Sequence, residues 1–181
     1  NYLPNALTTL RLLLALPLGM LILRHEYQLA LWVGLIAGIT DALDGFAARR
    51  LNYFSPIGAA LDPIADKLLI LVTFICLGNV ALIDWALAVI VISRDLVIVG
   101  GALCYRLFIG SFDFGARPLS KINMVVQIFF CLLVLASQLL PALPEELIFI
   151  TTGAVIIIAT ISGLDYIIAW TKKALQQRTE H

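Results

Sequence analysis

The sequence predicts an all-α integral membrane protein, a bundle of six transmembrane helices with both termini on the cytoplasmic side. Three observations carry that reading. Hydrophobic residues make up 61% of the 181-residue chain, mean hydropathy is +1.00, and long apolar stretches recur along the whole length, well outside the range of soluble domains. Basic residues also gather on one side of the resulting topology.

The first span, about 6–23, carries Arg11 inside its apolar run and has no basic segment before it, so it reads as a retained helix rather than a cleaved signal peptide. The chain opens on Asn1 without a methionine, which implies that a few residues precede it. Spans two and three, about 29–48 and 57–77, are separated by a short connection in which Ser55 caps and Pro56 starts the next helix. That shortness predicts that these two helices pack directly against each other as antiparallel neighbours. Spans four to six fall at about 82–105, 119–140 and 145–170, each long enough for about 30 Å of hydrocarbon. Residues 1–181 read as a single membrane domain.

Arg49, Arg50, Arg106, Arg117, Lys121, Lys172, Lys173 and Arg178 share one side of this topology, whereas Arg24 lies opposite among Glu26, Asp84, Glu145 and Glu146. The positive-inside rule therefore places the first side in the cytoplasm, which means the inner membrane if the source is bacterial. No basic patch with interleaved aromatics supports nucleic-acid binding. Cys76, Cys104 and Cys131 lie one to a span and read as small packing residues, with no metal-ligand spacing and no disulfide framework.

The stretch DALDGFAARRLNYFSPIGAALDPIADK, residues 41–67, conflicts with this apolar background. Asp41 and Asp44 are three apart and Asp62 and Asp66 four apart, so on helices each pair shares a face. A lone charge at mid-bilayer costs about 2.5–3.5 kcal/mol, and four carboxylates together demand compensating positive charge. A divalent metal cluster supplies it: oxygen-only ligands suit Mg²⁺ or Mn²⁺, and the lack of paired His and Cys argues against zinc. Two ions would stabilise the entering and leaving oxygens of a displacement at phosphorus. Buried ion pairs with Arg11, Arg49, Lys67 and Arg94 are the plainer alternative, but they do not explain the fixed spacing. Gly45, Ala48, Gly58, Ala59 and Ala60 leave room for a backbone or a ligand to approach, and Pro63 removes one hydrogen bond from the third helix.

The arrangement Asp41, Asp44-Gly45, Ala48-Arg49, Gly58, Asp62, Asp66 resembles the signature of the CDP-alcohol phosphatidyltransferases at every fixed position. The resemblance implies a membrane enzyme that transfers a phosphatidyl group from CDP-diacylglycerol to an alcohol with release of CMP. By motif position it makes Asp41, Asp44 and Asp62 metal ligands and Asp66 both ligand and general base. It also assigns the CDP moiety to Asp44, Gly45, Ala48, Arg49 and Gly58, joined by Asn5 and Thr8 from the polar start of the first helix. A homodimer through membrane helices is a further implication.

Arg94 and Asp95, in VISRDLVIV, point about 100° apart on a helix, so Arg94 is expected to seek another partner, a motif aspartate or, preferably, an acceptor phosphate. Arg117, Ser120 and Lys121 cluster where the fifth helix begins, a favourable place for an anion, and complete the expected acceptor-phosphate site. The stretches NYLPNALTTLR, ISRD and RPLSKINMVVQ look most like the CMP-forming cardiolipin synthases, whose acceptor is phosphatidylglycerol. The phosphatidylglycerophosphate synthases, which use glycerol 3-phosphate, share the same core. From another class, an ion-coupled transporter would also carry intramembrane carboxylates, but no convincing inverted repeat is visible and the motif acids are gathered at one end.

Overall fold

The computed structural model describes the backbone of residues 3–51, 56–108 and 118–179 and the side chains of residues 13–40, 67–101, 119–169 and 171. Six helices account for it: α1 (Leu3–Leu23), α2 (Tyr27–Leu51), α3 (Pro56–Asn79), α4 (Trp85–Phe108), α5 (Pro118–Ser137) and α6 (Glu145–Thr179). Proline opens both α3 and α5, at a position where its missing N–H has no helical partner to lose. Short connections at Arg24–Glu26, Val80–Asp84 and Gln138–Pro144 fold the chain into three helical hairpins, so α1, α3 and α5 run one way and α2, α4 and α6 the other.

The turns at this end of the bundle are built without glycine. His25 and Ala81 adopt φ of 60° and 58°. Each stands just past the end of its helix, where Glu26 N–H donates to the Leu21 carbonyl and Leu82 N–H to the Leu77 carbonyl, the long-range bond of a Schellman turn. Asp84 then starts α4 by accepting from the Ala86 N–H at 2.7 Å.

The core draws on every helix, with Leu18 and Ile22, Ala30, Phe74 and Leu77, Ala88 and Val91, Phe130 and Val134, and Val155 packed together. Outward faces are just as apolar: Leu16, Trp32, Val125, Phe149 and Ile157 are all more than half exposed. An apolar exterior of this extent belongs in lipid. Residues 119–137 and 145–169 are each long and apolar enough to cross a bilayer. Their threonine hydroxyls are satisfied within the helix: Thr151 donates to the Leu147 carbonyl, Thr152 to that of Ile148 and Thr160 to that of Ile156.

The expected direct packing of α2 on α3 is not found among the described residues. Instead α1 lies against both, and its contact with α3 is the most extensive in the bundle. Small residues decide this arrangement. A Cβ placed on Gly19 of α1 would come within 2.9 Å of Val72 Cγ1 and 3.2 Å of Cys76 Sγ, so the missing side chain admits α3. On α2, Gly34 and Gly38 face Leu132 and Ile128 of α5 instead, at 3.2 and 3.6 Å from an added Cβ. The glycine faces thus direct α1 to α3 and α2 to α5. Gly19→Ala is expected to cost about 1–3 kcal/mol through overpacking, read as a lower unfolding temperature of the solubilised protein.

Cys76 and Cys131 are buried free thiols in α3 and α5, as expected of packing residues; the side chain of Cys104 lies outside the described residues. The sixth helix runs nine residues past the predicted end at 170, to Thr179. Its 35 residues correspond to about 52 Å of helix, more than the hydrocarbon thickness.

Candidate active site

Asp41 and Asp44 fall in α2, and Asp62 and Asp66 in α3, each pair within one continuous helix. The spacings of three and four residues therefore place each pair on a single helical face. α3 is helical through Pro63. The side chains of the four aspartates, and those of Asn5, Thr8, Ala48 and Arg49, lie outside the described residues, as do the surroundings of Gly45 and Gly58. Among the described residues no three His, Cys, Asp or Glu side chains gather in a way that would hold a metal.

One residue beyond Asp66 the described side chains begin, with a charged layer in the bundle interior. Lys67 Nζ of α3 donates to Asp95 Oδ1 of α4 at 3.3 Å. The same oxygen accepts from Arg94 Nη1. Arg94 Nη2 reaches Ser120 Oγ of α5 at 3.3 Å and also donates to Ser162 Oγ of α6. Four helices are thereby tied together at one level. Arg94 is only 8% exposed, and its stem passes over Gly163, where an added Cβ would lie 3.4 Å from Arg94 Cγ.

This corrects the expectation that Arg94 and Asp95 cannot neutralise one another. Their backbone directions do diverge, but an arginine side chain is long enough to fold back onto the neighbouring carboxylate, and the planar fork leaves its other nitrogen free for two serines. Of the expected acceptor-phosphate residues, the structure brings Arg94 and Ser120 together. Lys121, next in the chain, is exposed, and Arg117 lies outside the described residues.

Sequence reasoning treated Lys67 only as an ion-pair partner of the motif acids and passed over Ser162, Asn123 and Gln127. Ser120, Asn123 and Gln127 recur at the i, i+3, i+7 spacing of one helical face in an otherwise apolar helix. That spacing was the available signal.

The chain is similar in sequence to several proteins of known description. Over 104 residues the chain is 44% identical to a CMP-forming cardiolipin synthase of Rattus norvegicus, covering 57% of this chain and 34% of the relative. It is 39% identical over 105 residues to a CDP-diacylglycerol–glycerol-3-phosphate 3-phosphatidyltransferase of Pseudomonas fluorescens, covering 52% of this chain and 51% of the relative. A CMP-forming cardiolipin synthase of Homo sapiens is 42% identical over 104 residues, 57% of this chain and 35% of its own length. The matched regions thus span about a third of the mammalian relatives and half of the bacterial one. The sequence profile of the CDP-alcohol phosphatidyltransferases matches residues 1–171, a stretch that takes in α1 to α5, most of α6, both carboxylate pairs and the Arg94 layer. With that agreement the ion-transporter reading gives way, and the chain belongs to the CDP-alcohol phosphatidyltransferase family.

Proposed function

We propose that this protein transfers the phosphatidyl group of CDP-diacylglycerol to phosphatidylglycerol, forming cardiolipin and CMP. The observation that carries the reading is the pairing of two carboxylate faces, on α2 and α3, with a buried arginine layer one residue beyond Asp66. The mammalian relatives at 44% and 42% identity support the choice of acceptor. The second reading, glycerol 3-phosphate as acceptor, is supported by the bacterial relative at 39%.

Asp41, Asp44, Asp62 and Asp66 form an oxygen-only donor set on two continuous helices, which fits Mg²⁺ or Mn²⁺. Two such ions would supply charge neutralisation for the pyrophosphate. Asp66 accepts the proton of the acceptor hydroxyl, whose oxygen bonds to the phosphorus bearing diacylglycerol. The bond from that phosphorus to CMP breaks, and CMP leaves with the electron pair. Arg49 meets the pyrophosphate; Asp44, Gly45, Ala48 and Gly58, with Asn5 and Thr8, accommodate the cytidine and ribose. Arg94 and Ser120, with Arg117 and Lys121, hold the phosphate of the acceptor. Positioning and electrostatics account for most of the rate, since phosphoryl chemistry leaves little covalent work to the protein.

The positive-inside distribution supports a cytoplasmic position for this site and both termini of one membrane domain, and the family resemblance supports a homodimer. Purified protein incubated with CDP-diacylglycerol and either acceptor tests the reading by lipid mass analysis and CMP release. Cardiolipin is expected with phosphatidylglycerol, activity disappearing on exhaustive chelation and returning with Mg²⁺ or Mn²⁺. Phosphatidylglycerophosphate from glycerol 3-phosphate and no cardiolipin would transfer the assignment to the second reading. Full activity after chelation would defeat the metal role.

A further inference from the structure

Asn123 and Gln127 are 1% and 2% exposed, yet among the described residues Asn123 Nδ2, Asn123 Oδ1 and Gln127 Nε2 have no hydrogen-bond partner, and neither has Arg94 Nε. Unmade hydrogen bonds of this kind are costly in a lipid-surrounded core. Four of them in one region imply an occupant that supplies the missing partners.

The helix register places them. Phe74 of α3 and Phe130 of α5 stack with ring centroids 6.0 Å apart. Lys67 and Asn123 each precede their phenylalanine by seven residues, so along parallel helices both lie about 10 Å from the ring pair on the carboxylate side. Asn123 is also one turn along α5 from Ser120, which Arg94 contacts at 3.3 Å. Asn123 and Arg94 therefore lie at the level of the charged layer next to Asp66, with Gln127 one turn farther along α5 toward the stacked rings.

Three of the four are N–H donors and one, Asn123 Oδ1, is an acceptor. Donors suit phosphate oxygens, whereas an amide offering both donor and acceptor suits an alcohol. We infer that Asn123 and Gln127 read the glycerol hydroxyls of the acceptor's glycerophosphate unit beside the Arg94 layer, and so select the acceptor alcohol. The inference deepens the proposed function and rests on it. Phosphatidylglycerol and free glycerol 3-phosphate both carry the unit.

The test uses the full chain in detergent, with Asn123→Leu and Gln127→Leu against Asn123→Gln and Gln127→Asn, which keep an amide. Binding is followed as thermal stabilisation by glycerol 3-phosphate, by short-chain phosphatidylglycerol and, as a control, by CMP; the acceptor KM and kcat are measured alongside. Each leucine variant is expected to raise the half-saturating concentration and KM of the preferred acceptor about tenfold or more, the loss typical when a site's hydroxyl-reading groups are removed. CMP stabilisation should stay unchanged, and the amide variants should recover part of the loss. The arm that responds identifies a lipid or a water-borne source of the unit. Unchanged acceptor binding in folded leucine variants overturns the inference, as does wild-type protein stabilised by neither acceptor. Failure of the proposed function would instead appear as wild-type protein that binds an acceptor but releases no CMP.

Discussion

Asp66→Asn is expected to abolish turnover while leaving nucleotide binding partly intact, because the amide keeps the carboxylate's shape but cannot take the acceptor's proton. General-base catalysis contributes about 10²–10⁴-fold, so the residual rate should fall at least that far. Asp44→Asn and Asp62→Asn should differ in kind, weakening metal and CDP-lipid binding as well as rate. Measurement of kcat, KM for CDP-diacylglycerol and CMP binding across pH separates the two classes. Near-normal turnover of Asp66→Asn at any pH would remove Asp66 from the role of base.

The second large effect is expected at a residue outside the motif. Asp95 Oδ1 accepts from both Lys67 and Arg94, so Asp95→Ala deprives two buried or half-buried cations of their shared counter-charge. Leaving such a charge unpaired costs about 3–5 kcal/mol, which should appear as a markedly lower unfolding temperature in nanodiscs. Replacing all three charges, as in Lys67→Met with Arg94→Met and Asp95→Leu, should restore much of the stability while leaving acceptor use impaired. Equal stability of Asp95→Ala and wild type would show that the layer is not held by this carboxylate.

Why the sequence revealed some of this and not the rest follows from particular residues. Helices were legible because each span is an apolar run, and the turn after Leu23 and the start at Glu145 coincide with clustered charges. Their ends were less so. The fourth helix begins at Trp85 rather than about 82 because Asp84 caps it. The sixth continues to Thr179 because its polar tail, rich in Ala, Lys, Gln and Arg, favours helix after hydropathy has fallen. Neighbour relations were less legible: a short connection between α2 and α3 suggested contact, whereas among the described residues Gly19 faces α3, and Gly34 and Gly38 face α5.

At the site, the four aspartates stood out because charge in an apolar run is conspicuous. Asn123 and Gln127 did not, since a single uncharged amide scarcely changes the hydropathy of a helix; only their burial without partners gives them meaning. The Arg94–Asp95 contact was hidden for another reason. Backbone periodicity fixes where a side chain starts, and arginine is long enough to finish elsewhere.

The placement of α1 against both α2 and α3 bears on how the enzyme is made. A nascent chain delivers its helices in order, and the first two can pair as soon as they enter the lipid. Among the described residues the third finds its seat on the first rather than on the second. Docking of α3 therefore depends on a correctly placed α1, so the two helices that carry the motif aspartates are brought into one unit through a third. Biogenesis thus has a natural checkpoint at the docking of α3, seated on a glycine that takes no part in the chemistry.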